Sequence, residues 1–421
     1  MITDNFQSKI IKKEVFLFFG LYLSLLIGFY FGENSTGGAY GDYQAQKNIV
    51  KAFKDNFLLS LFNYDDFTSR HSPVLIISLS VLENFIPSDF ILRLIHLHLC
   101  LLLPLFFYKC LEVKYKSVDK RVFLLLTSLI LLSPSFRSLS IWPDSRILGL
   151  TFFTLSIFYY LKFLVNKKFL FVSLNIITCG MSAYISPNFC VFSLFFFTKY
   201  LIEYKLISYK LFFVIILNFL IALPAFYYVI YLDINFFSKS AAILRETSDI
   251  VFVNIFNDIL ITFSLMFFYL FPFIVFKIIK VENLLNFKNI IFSILVFVIS
   301  VYNFDYNYLN SGGGIFLQGS QIFLANNYLF FFVSFFSVIT VLPILITNSY
   351  NLLLFILILM NNPQYTMYHK YFDPFLLISF FTIFILKINS KLFLKFKPFL
   401  FVYFYFISFL IISNIKFLWK I

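Results

Sequence analysis

A glycine-rich segment places one carboxylate among aromatic rings. Asp42 directly follows the run 37–41, which holds three glycines, and it stands between Tyr40 and Tyr43. Glycine allows backbone conformations that are closed to other residues, so the run predicts a turn that carries Asp42. Because partial burial raises the pKa of a carboxyl group, Asp42 could act as a general base and accept a proton from a nucleophile. A solvated turn aspartate is the alternative explanation of the same pattern.

Two further segments combine charged residues with residues that favour helix starts. Arg70 and His71 place two potential cations before Pro73, while Asp144 and Arg146 follow a Trp-Pro pair. Pro, Asp and Ser favour the first turn of a helix. Asp144 is therefore explained as a helix cap, and it also supplies a second carboxylate at the predicted depth of Asp42.

A cation also stands in the aromatic segment 365–374. Lys370, which follows His369, is the only Lys or Arg of its loop. A cation at a membrane surface is a suitable ligand for a lipid phosphate. A lysine that extends towards water within a belt of tyrosines explains the same residue equally well.

The composition indicates what surrounds these segments. Of the 421 residues, 61% are hydrophobic and only 13% are charged, and the mean hydropathy is +0.90. Soluble domains carry about a quarter charged residues, so a water-soluble enzyme and a disordered chain are both excluded. A membrane-spanning helix needs about 20 mostly apolar residues, and the apolar runs predict an all-α, polytopic transmembrane bundle of about 11–13 helices. The predicted spans are 15–31, 91–108, 122–136, 147–165, 169–185, 189–202, 211–232, 254–276, 290–304, 322–346, 351–360, 374–388 and 398–418.

The net charge of +13 is explained by orientation. If the N-terminus is cytoplasmic and the connections alternate, most of the 33 Lys and Arg fall in cytoplasmic connections. This is the positive-inside pattern of membrane proteins, so no nucleic-acid partner is expected. Most acidic residues, including Asp42 and Asp144, then lie at the opposite face.

The chain is predicted to form a single integral membrane domain, 1–421, with one long outer connection at about 32–90. Within this connection the stretch 44–61 is amphipathic, and three of its lysines lie opposite an apolar face. The apolar face consists of Ile49, Val50, Phe53, Phe57 and Leu58. This pattern predicts an interfacial helix whose apolar face lies in the lipid headgroups, and a small cap over helix ends is the alternative. The next apolar run, 74–82, is too short to span and is expected to lie at the interface or to re-enter.

These segments, in this order, resemble the GT-C superfamily of polytopic glycosyltransferases, such as protein mannosyltransferases and lipid A aminoarabinose transferases. The family pattern has an acidic residue after the first span, a His-Pro-Pro-Leu-like segment, an Asn-Pro-Asp-like helix start and a late Arg-Tyr-Leu-x-Pro-like helix start. The matching stretches are Gly41-Asp42-Tyr43, Arg70-His71-Ser72-Pro73-Val74-Leu75, Trp142-Pro143-Asp144-Ser145-Arg146 and Lys370-Tyr371-Phe372-Asp373-Pro374. The acidic pair that is usual in the family is a single aspartate here.

The resemblance implies an enzyme of the bacterial inner membrane. It would move a sugar, as a hexosyltransferase does, from a polyprenyl-phosphate carrier to a glycan, lipid or protein acceptor at the periplasmic face. Asp42 would be the general base, and Asp144 would help to shape the same cavity. The implied substrate- and phosphate-binding residues are Lys370, His369, Arg70, His71, Arg146 and Tyr43. The expected partners are membrane lipid, the lipid-linked sugar donor and the acceptor; a divalent cation is left open as a cofactor, and no residue is assigned as a metal ligand.

Two other functions are open at this point. An O-antigen or capsule polymerase is also a many-helixed protein with lipid-linked substrates, but such proteins usually depend on arginine-rich late loops, and the late loops here hold few arginines. A flippase or other transporter would need a charged route through the bilayer and two related halves. The sequence shows little charge within its predicted spans and no internal repeat.

Overall fold

The computed structural model describes residues 2–67, 69, 71–204, 208–234, 254–281, 284–309 and 312–418. These residues fold into α-helices joined by short connections and single turns of 3-10 or π helix, and no β-strand occurs among them. The all-α class predicted from the apolar runs is confirmed.

The backbone packs as two compact units, one of residues 1–246 with 406–421 and one of residues 247–405. The first contains α1 (Ile2–Tyr30), α2 (Ala39–Asp55), α3 (Phe57–Phe62), α4 (Pro73–Phe85), α5 (Asp89–Cys100), α6 (Leu102–Lys114), α7 (Lys120–Ser128), α8 (Pro134–Ile141), α9 (Ser145–Asn166), α10 (Phe169–Ile185), α11 (Ser193–Tyr204) and α12 (Tyr209–Phe226). The second contains α13 (Ile255–Val275), α14 (Phe287–Tyr302), α15 (Gly314–Leu324), α16 (Tyr328–Ile346), α17 (Ser349–Met360), α18 (Phe375–Thr382) and α19 (Ser390–Phe393). Residues 396–405 of α20 (Phe396–Leu418) group with the second unit and its later residues with the first. That the whole chain forms one integral membrane domain stays a prediction.

Seven helical stretches in the described part of the chain are long and apolar enough to cross a membrane. They are Lys13–Tyr30, Asp89–Lys114, Ser145–Asn166, Tyr209–Tyr231, Ile255–Val275, Tyr328–Ile346 and Phe396–Ile415. The bent pair Lys120–Leu132 and Pro134–Ile141 makes eight if it counts as one span. The remaining predicted spans correspond to shorter helices, such as α10, α14 and α17. The chain is thus a multi-pass membrane protein that combines full-length spans with shorter apolar helices.

The predicted span 122–136 contains Pro134, which the sequence already marks as a point where the helix breaks or kinks, and the structure is bent there. Two helical segments meet there at an angle of 63°. Pro134 has no N–H to donate and starts the second segment, and the Ser133 hydroxyl accepts a hydrogen bond from the backbone N–H of Phe136 at 2.9 Å. A capped proline therefore begins a new helix instead of merely kinking the old one.

The predicted span 374–388 is too long at its C-terminal end, because α18 ends at Thr382. The side chain of Asn351 accepts a hydrogen bond from the Ile385 N–H at 2.9 Å and donates one to the Ile385 carbonyl at 3.1 Å. The backbone N–H of Lys280 donates to the Lys387 carbonyl at 3.3 Å. Residues 385–387 are not helical, because these tertiary hydrogen bonds use the backbone groups that a continuing helix would need.

The amphipathic stretch after the first span is two helices. α2 ends at Asp55, and Asn56 caps α3 by accepting a hydrogen bond from the Leu59 N–H at 3.1 Å. The apolar face of α2 packs against α4, and Ile49, Val50 and Phe53 are buried there. Protein, not lipid headgroups, therefore covers α2, in agreement with the cap alternative.

The short helix α3 is the part of this connection that exposes apolar side chains. Phe57, Leu58, Leu59 and Phe62 are all more than two-fifths exposed. The run 74–82 lies in α4, which buries Leu75, Ile76 and Leu79. Of the predicted apolar face, only the segment after Asn56 is available to an interface.

Polar segments gather at one end of the first unit. The indole N–H of Trp142 donates to the Glu33 carbonyl at 3.0 Å, and the Tyr228 hydroxyl donates to the Leu61 carbonyl at 2.8 Å. Residues that follow α1, precede α9 and follow α12 are thereby joined at this end. The predicted alternation of the connections places the residues after α1, before α9 and after α12 on the same face of the membrane.

Candidate functional site

A partly open cavity of about 530 Å³ lies beside the first half of α2 in the first unit. It is lined by Asp42, Ala45, Gln46, Asn48, Ile49, Phe67, Ser69 and His71. The volume falls in the range of small-molecule sites, which usually combine apolar walls with a few polar groups. Two of the residues proposed from the sequence, Asp42 and His71, therefore share one cavity although they are 29 positions apart in the chain.

Asp42 lies in the first turn of α2 and not on a turn before it, as was expected from the glycines. Its backbone N–H donates to the Gly38 carbonyl at 2.9 Å, and Gly38 occupies the N-cap position. The turn lies earlier in the chain, where Gly37 has a φ of +81°. The helix carries the carboxylate to the cavity, and the positive end of the helix dipole stabilises its charge.

His71 is held by contacts on both its side chain and its backbone. Its Nδ1 lies 3.2 Å from the Ser145 hydroxyl, and its carbonyl accepts a hydrogen bond from the Tyr64 hydroxyl at 2.8 Å. The next residue, Ser72, caps α4 and donates to the Tyr184 carbonyl. His71 is thus fixed between the cavity and the start of α9.

Asp144 forms the N-cap of α9. Its carboxylate accepts a hydrogen bond from the Arg146 N–H at 2.7 Å, and the residue is buried. The helix-cap explanation is therefore confirmed. Ser145 contacts His71, which lines the cavity, but Asp144 itself is not a lining residue, and Arg146 is half-buried in the first turn of α9. Arg70 lies outside the described residues.

Tyr43 is occupied by a polar contact of its own. Its hydroxyl donates to Asp89 at 2.8 Å, and Asp89 also pairs with Lys47 at 2.8 Å. Burial raises the pKa of Tyr43, and the hydrogen bond to Asp89 raises it further. The phenol is therefore a neutral donor, and it ties α2 to the start of α5 next to Asp42.

Sequence reasoning assigned no role to Gln46, one helical turn after Asp42. Gln46 is 2% exposed, and neither its amide nitrogen nor its amide oxygen has a hydrogen-bond partner in the part of the chain that the structure describes. Buried polar groups are normally hydrogen-bonded, so such a side chain in a cavity wall needs an explanation. The signal in the sequence was a polar residue within the apolar face that Ile49, Val50 and Phe53 define.

Arg93 is a second residue whose arrangement the sequence did not reveal. Its guanidinium carbon lies 4.0 Å from the ring centroid of Trp142 and 5.0 Å from that of Phe29. The residue is buried, and its Nε has no hydrogen-bond partner among the described residues. Stacking on two aromatic rings fixes a cation at the polar end of the first unit.

In the second unit, His369 and Lys370 form a single 3-10 turn. The Tyr269 hydroxyl lies 2.9 Å from His369 Nε2, and it also has a hydrogen bond to the Asp373 side chain. The ammonium of Lys370 lies 5.8 Å from the ring centroid of Tyr368. His369 is therefore part of a buried polar cluster, and Lys370 lies at its margin beside an aromatic ring.

The glycine segment 312–314 packs against the loop that carries these residues. The Gly313 N–H donates to the Met367 carbonyl at 2.9 Å, and the Met367 N–H donates to the Tyr306 hydroxyl at 3.0 Å. Gly312 has a φ of +92°, and a Cβ there would lie 2.8 Å from the Met367 carbonyl oxygen. Glycine is required for this close approach, which holds the backbone before His369 in place.

His369 should make the stability of the protein sensitive to mild acid. Its Nδ1 has almost no exposed surface, and burial lowers the pKa of the imidazole from 6.5 to about 3. The unfolded chain takes up a proton below pH 6.5 and the folded protein does not, so stability is complete above that pH and falls as the pH decreases towards 3. Between pH 6.5 and 5 the free energy of unfolding should fall by up to about 2 kcal/mol through this group.

Thermal unfolding in detergent at pH 7.5, 6.5, 5.5 and 5.0 measures this effect. The variant His369→Gln keeps a group that can hydrogen-bond to Tyr269 but cannot titrate. We expect its melting temperature to fall less than that of the wild type over the same range. An equal acid sensitivity of the two proteins would assign the effect to other groups.

Among the described residues, no three His, Cys, Asp or Glu side chains come together in a way that could hold a metal ion. The groups that line the cavity beside α2 are one carboxylate, one imidazole, amides and a hydroxyl. Such groups can transfer protons and form hydrogen bonds.

The helices and their exposed apolar surfaces define a multi-pass, all-α membrane protein with a polar cavity at one end of its first unit. Comparison of the chain with family models, with curated proteins and with solved structures finds no match.

Proposed function

We propose that this protein is a membrane glycosyltransferase that moves a sugar from a polyprenyl-phosphate carrier to a glycan, lipid or protein acceptor. The reaction would take place at the periplasmic face of a bacterial inner membrane, with the N-terminus in the cytoplasm. The resemblance of four short segments to the GT-C superfamily motivates this proposal.

The observation that carries the proposal is the convergence of three of those segments in the first unit. Asp42 and His71 line one cavity, and His71 contacts Ser145 of the segment that Asp144 caps. These residues are distant in the chain, and a set of unrelated caps and turns would not require them to meet.

The chemistry assigns a step to Asp42. Its carboxylate takes the proton from an acceptor hydroxyl or amine while the acceptor atom attacks the anomeric carbon of the sugar. The bond between that carbon and the carrier phosphate breaks, and the phosphate leaves with the electron pair. Since negative charge develops on the phosphate and positive character on the sugar, fixed cations near the leaving group would lower the barrier.

Two cations are candidates for stabilising the negative charge that develops on the leaving phosphate. Lys370, which matches the late helix start of the family pattern, lies beside Tyr368 in the second unit, and its placement at the phosphate is part of the proposal. Arg93 offers a rigid guanidinium at the polar end of the first unit, where its stacking between Phe29 and Trp142 orders it in advance. A preordered cation loses little entropy when an anion binds.

Replacement of Lys370 tests the proposed grip on the carrier. Lys370→Ala should weaken binding of a short-chain polyprenyl phosphate about ten- to hundredfold, because a hydrogen bond to a charged group is lost. The affinity is measured with the purified full chain in detergent. Lys395→Ala is the matched control, because Lys395 is an exposed lysine of the same unit, at the start of α20. An unchanged affinity in Lys370→Ala would remove this lysine from the site.

A further inference from the structure

Gln46 has a buried side-chain amide to which no described residue offers a hydrogen bond. It lies on the covered face of α2 together with Tyr43, Ile49, Val50 and Phe53. A leucine of similar size would satisfy every packing requirement of that face without burying an amide. A buried donor and acceptor without partners cost free energy, so packing alone does not explain a glutamine here.

The position of Gln46 indicates what its amide could bind. It lies one helical turn after Asp42, so the two side chains share a face of α2. Both residues line the cavity with His71 and Phe67. An amide has both a donor and an acceptor, which matches a hydroxyl group or another amide. The terminal torsion of glutamine is soft, so the amide can turn towards a group that enters the cavity.

We propose that Gln46 binds an uncharged sugar ring in this cavity by hydrogen bonds to a hydroxyl or N-acetyl group. Phe67 supplies an apolar surface against which the C–H face of a sugar ring can pack, and Asn48 and Ser69 add further polar groups at the wall. That the ligand is a sugar rests on the proposed function; that the amide needs a polar partner rests on its burial alone. Gln46 would then distinguish one sugar from another by the substituent that it contacts.

The test uses the full chain in detergent and free glucose, galactose, N-acetylglucosamine and N-acetylgalactosamine as probes. Binding is measured by saturation-transfer NMR, and the melting temperature is measured without sugar. Gln46→Leu should raise the melting temperature, because it removes the unsatisfied amide, and should weaken binding of the preferred sugar at least about tenfold. Gln44→Leu is the matched control, because Gln44 is exposed on the same helix and does not line the cavity. It should leave binding unchanged.

Two results would overturn the inference: binding in Gln46→Leu equal to that of the wild type, or no binding of any of the four sugars to the wild type. A protein that binds a sugar through Gln46 but transfers none to an acceptor would refute the proposed function and leave the inference standing. If the wild type transfers sugar and Gln46→Leu binds sugar as tightly as the wild type does, the inference is refuted and the proposed function stands.

Discussion

The variant Asp42→Asn should lose sugar transfer almost completely, by about a hundred- to ten-thousandfold, which is the usual contribution of a general base. Asparagine has nearly the same shape as aspartate but cannot accept the proton of an acceptor hydroxyl. Its amide should still line the cavity, and α2 should still start at Ala39, because Gly38 and not Asp42 occupies the N-cap position. Transfer is measured with membranes that contain the variant, a labelled polyprenyl-phosphate sugar and extracted envelope acceptor.

The same helix provides the control for this experiment. Asp55 is the last residue of α2, is exposed and does not line the cavity, so Asp55→Asn should keep full turnover. If Asp42 served only to stabilise the start of α2 through the helix dipole, its replacement would cost about 0.3–1 kcal/mol of stability and would leave turnover intact. Full turnover in Asp42→Asn would therefore refute the catalytic assignment and favour this structural role.

The long helices could be predicted from the sequence because their ends are chemically marked. The span expected at 147–165 is α9, which begins at Ser145 behind the Asp144 cap. The span expected at 254–276 is α13, whose cap is Asn254. In both places a capping side chain precedes a long apolar run, and local chemistry and packing favour the same structure.

Prediction was wrong where a distant side chain decides the local conformation. The apolar residues 383–388 favour a helix, but Asn351 binds both backbone groups of Ile385. Asn351 lies 34 positions before Ile385 in the chain, and no periodicity in the sequence indicates that the two residues meet. Hydrogen bonds of this kind depend on tertiary structure and cannot be inferred from local patterns.

The candidate site could be predicted only in part, because it also depends on tertiary contacts. The residue types and neighbours of Asp42 and His71 predict functional roles for both, and the structure places both at one cavity. Gln46 and Phe67 line the same cavity, but Gln46 falls within the apolar face of α2 and Phe67 is one of 66 phenylalanines, so neither stands out in the sequence. The place of Gln46 at the cavity wall depends on which face of α2 is covered by α4, and an amphipathic pattern alone did not determine whether protein or lipid covers that face.

The second large effect is expected from the ion pair of Glu33 and Arg137. Glu33 follows α1, Arg137 lies on α8, and both side chains are buried. The guanidinium Nε lies 2.9 Å from each carboxylate oxygen of Glu33, and Nη2 lies 2.6 Å from Oε2. Nη1 donates to the Ser24 hydroxyl at 3.0 Å. The pair therefore fastens the end of the first span to α8 with its hydrogen bonds satisfied.

Removal of one partner should destabilise the protein strongly. Arg137→Met leaves the Glu33 carboxylate buried without its counter-charge, which should lower the free energy of unfolding by about 3–5 kcal/mol. Unfolding by detergent titration, followed by tryptophan fluorescence, is a suitable measurement because Trp142 donates to the Glu33 carbonyl. Asp119→Asn breaks the more exposed pair with Arg121 and should cost less than about 1 kcal/mol.

A double variant separates the burial of a charge from the loss of a specific link between helices. Glu33→Leu combined with Arg137→Met removes both charges, and apolar replacement of a buried pair is often neutral or stabilising. We therefore expect most of the stability lost in Arg137→Met to return in the double variant. If the double variant is as unstable as Arg137→Met alone, the directed hydrogen bonds between the chain after α1 and α8 are what holds this end of the first unit together. In that case the Trp142 ring, and the cation that stacks on it, depend on the same pair.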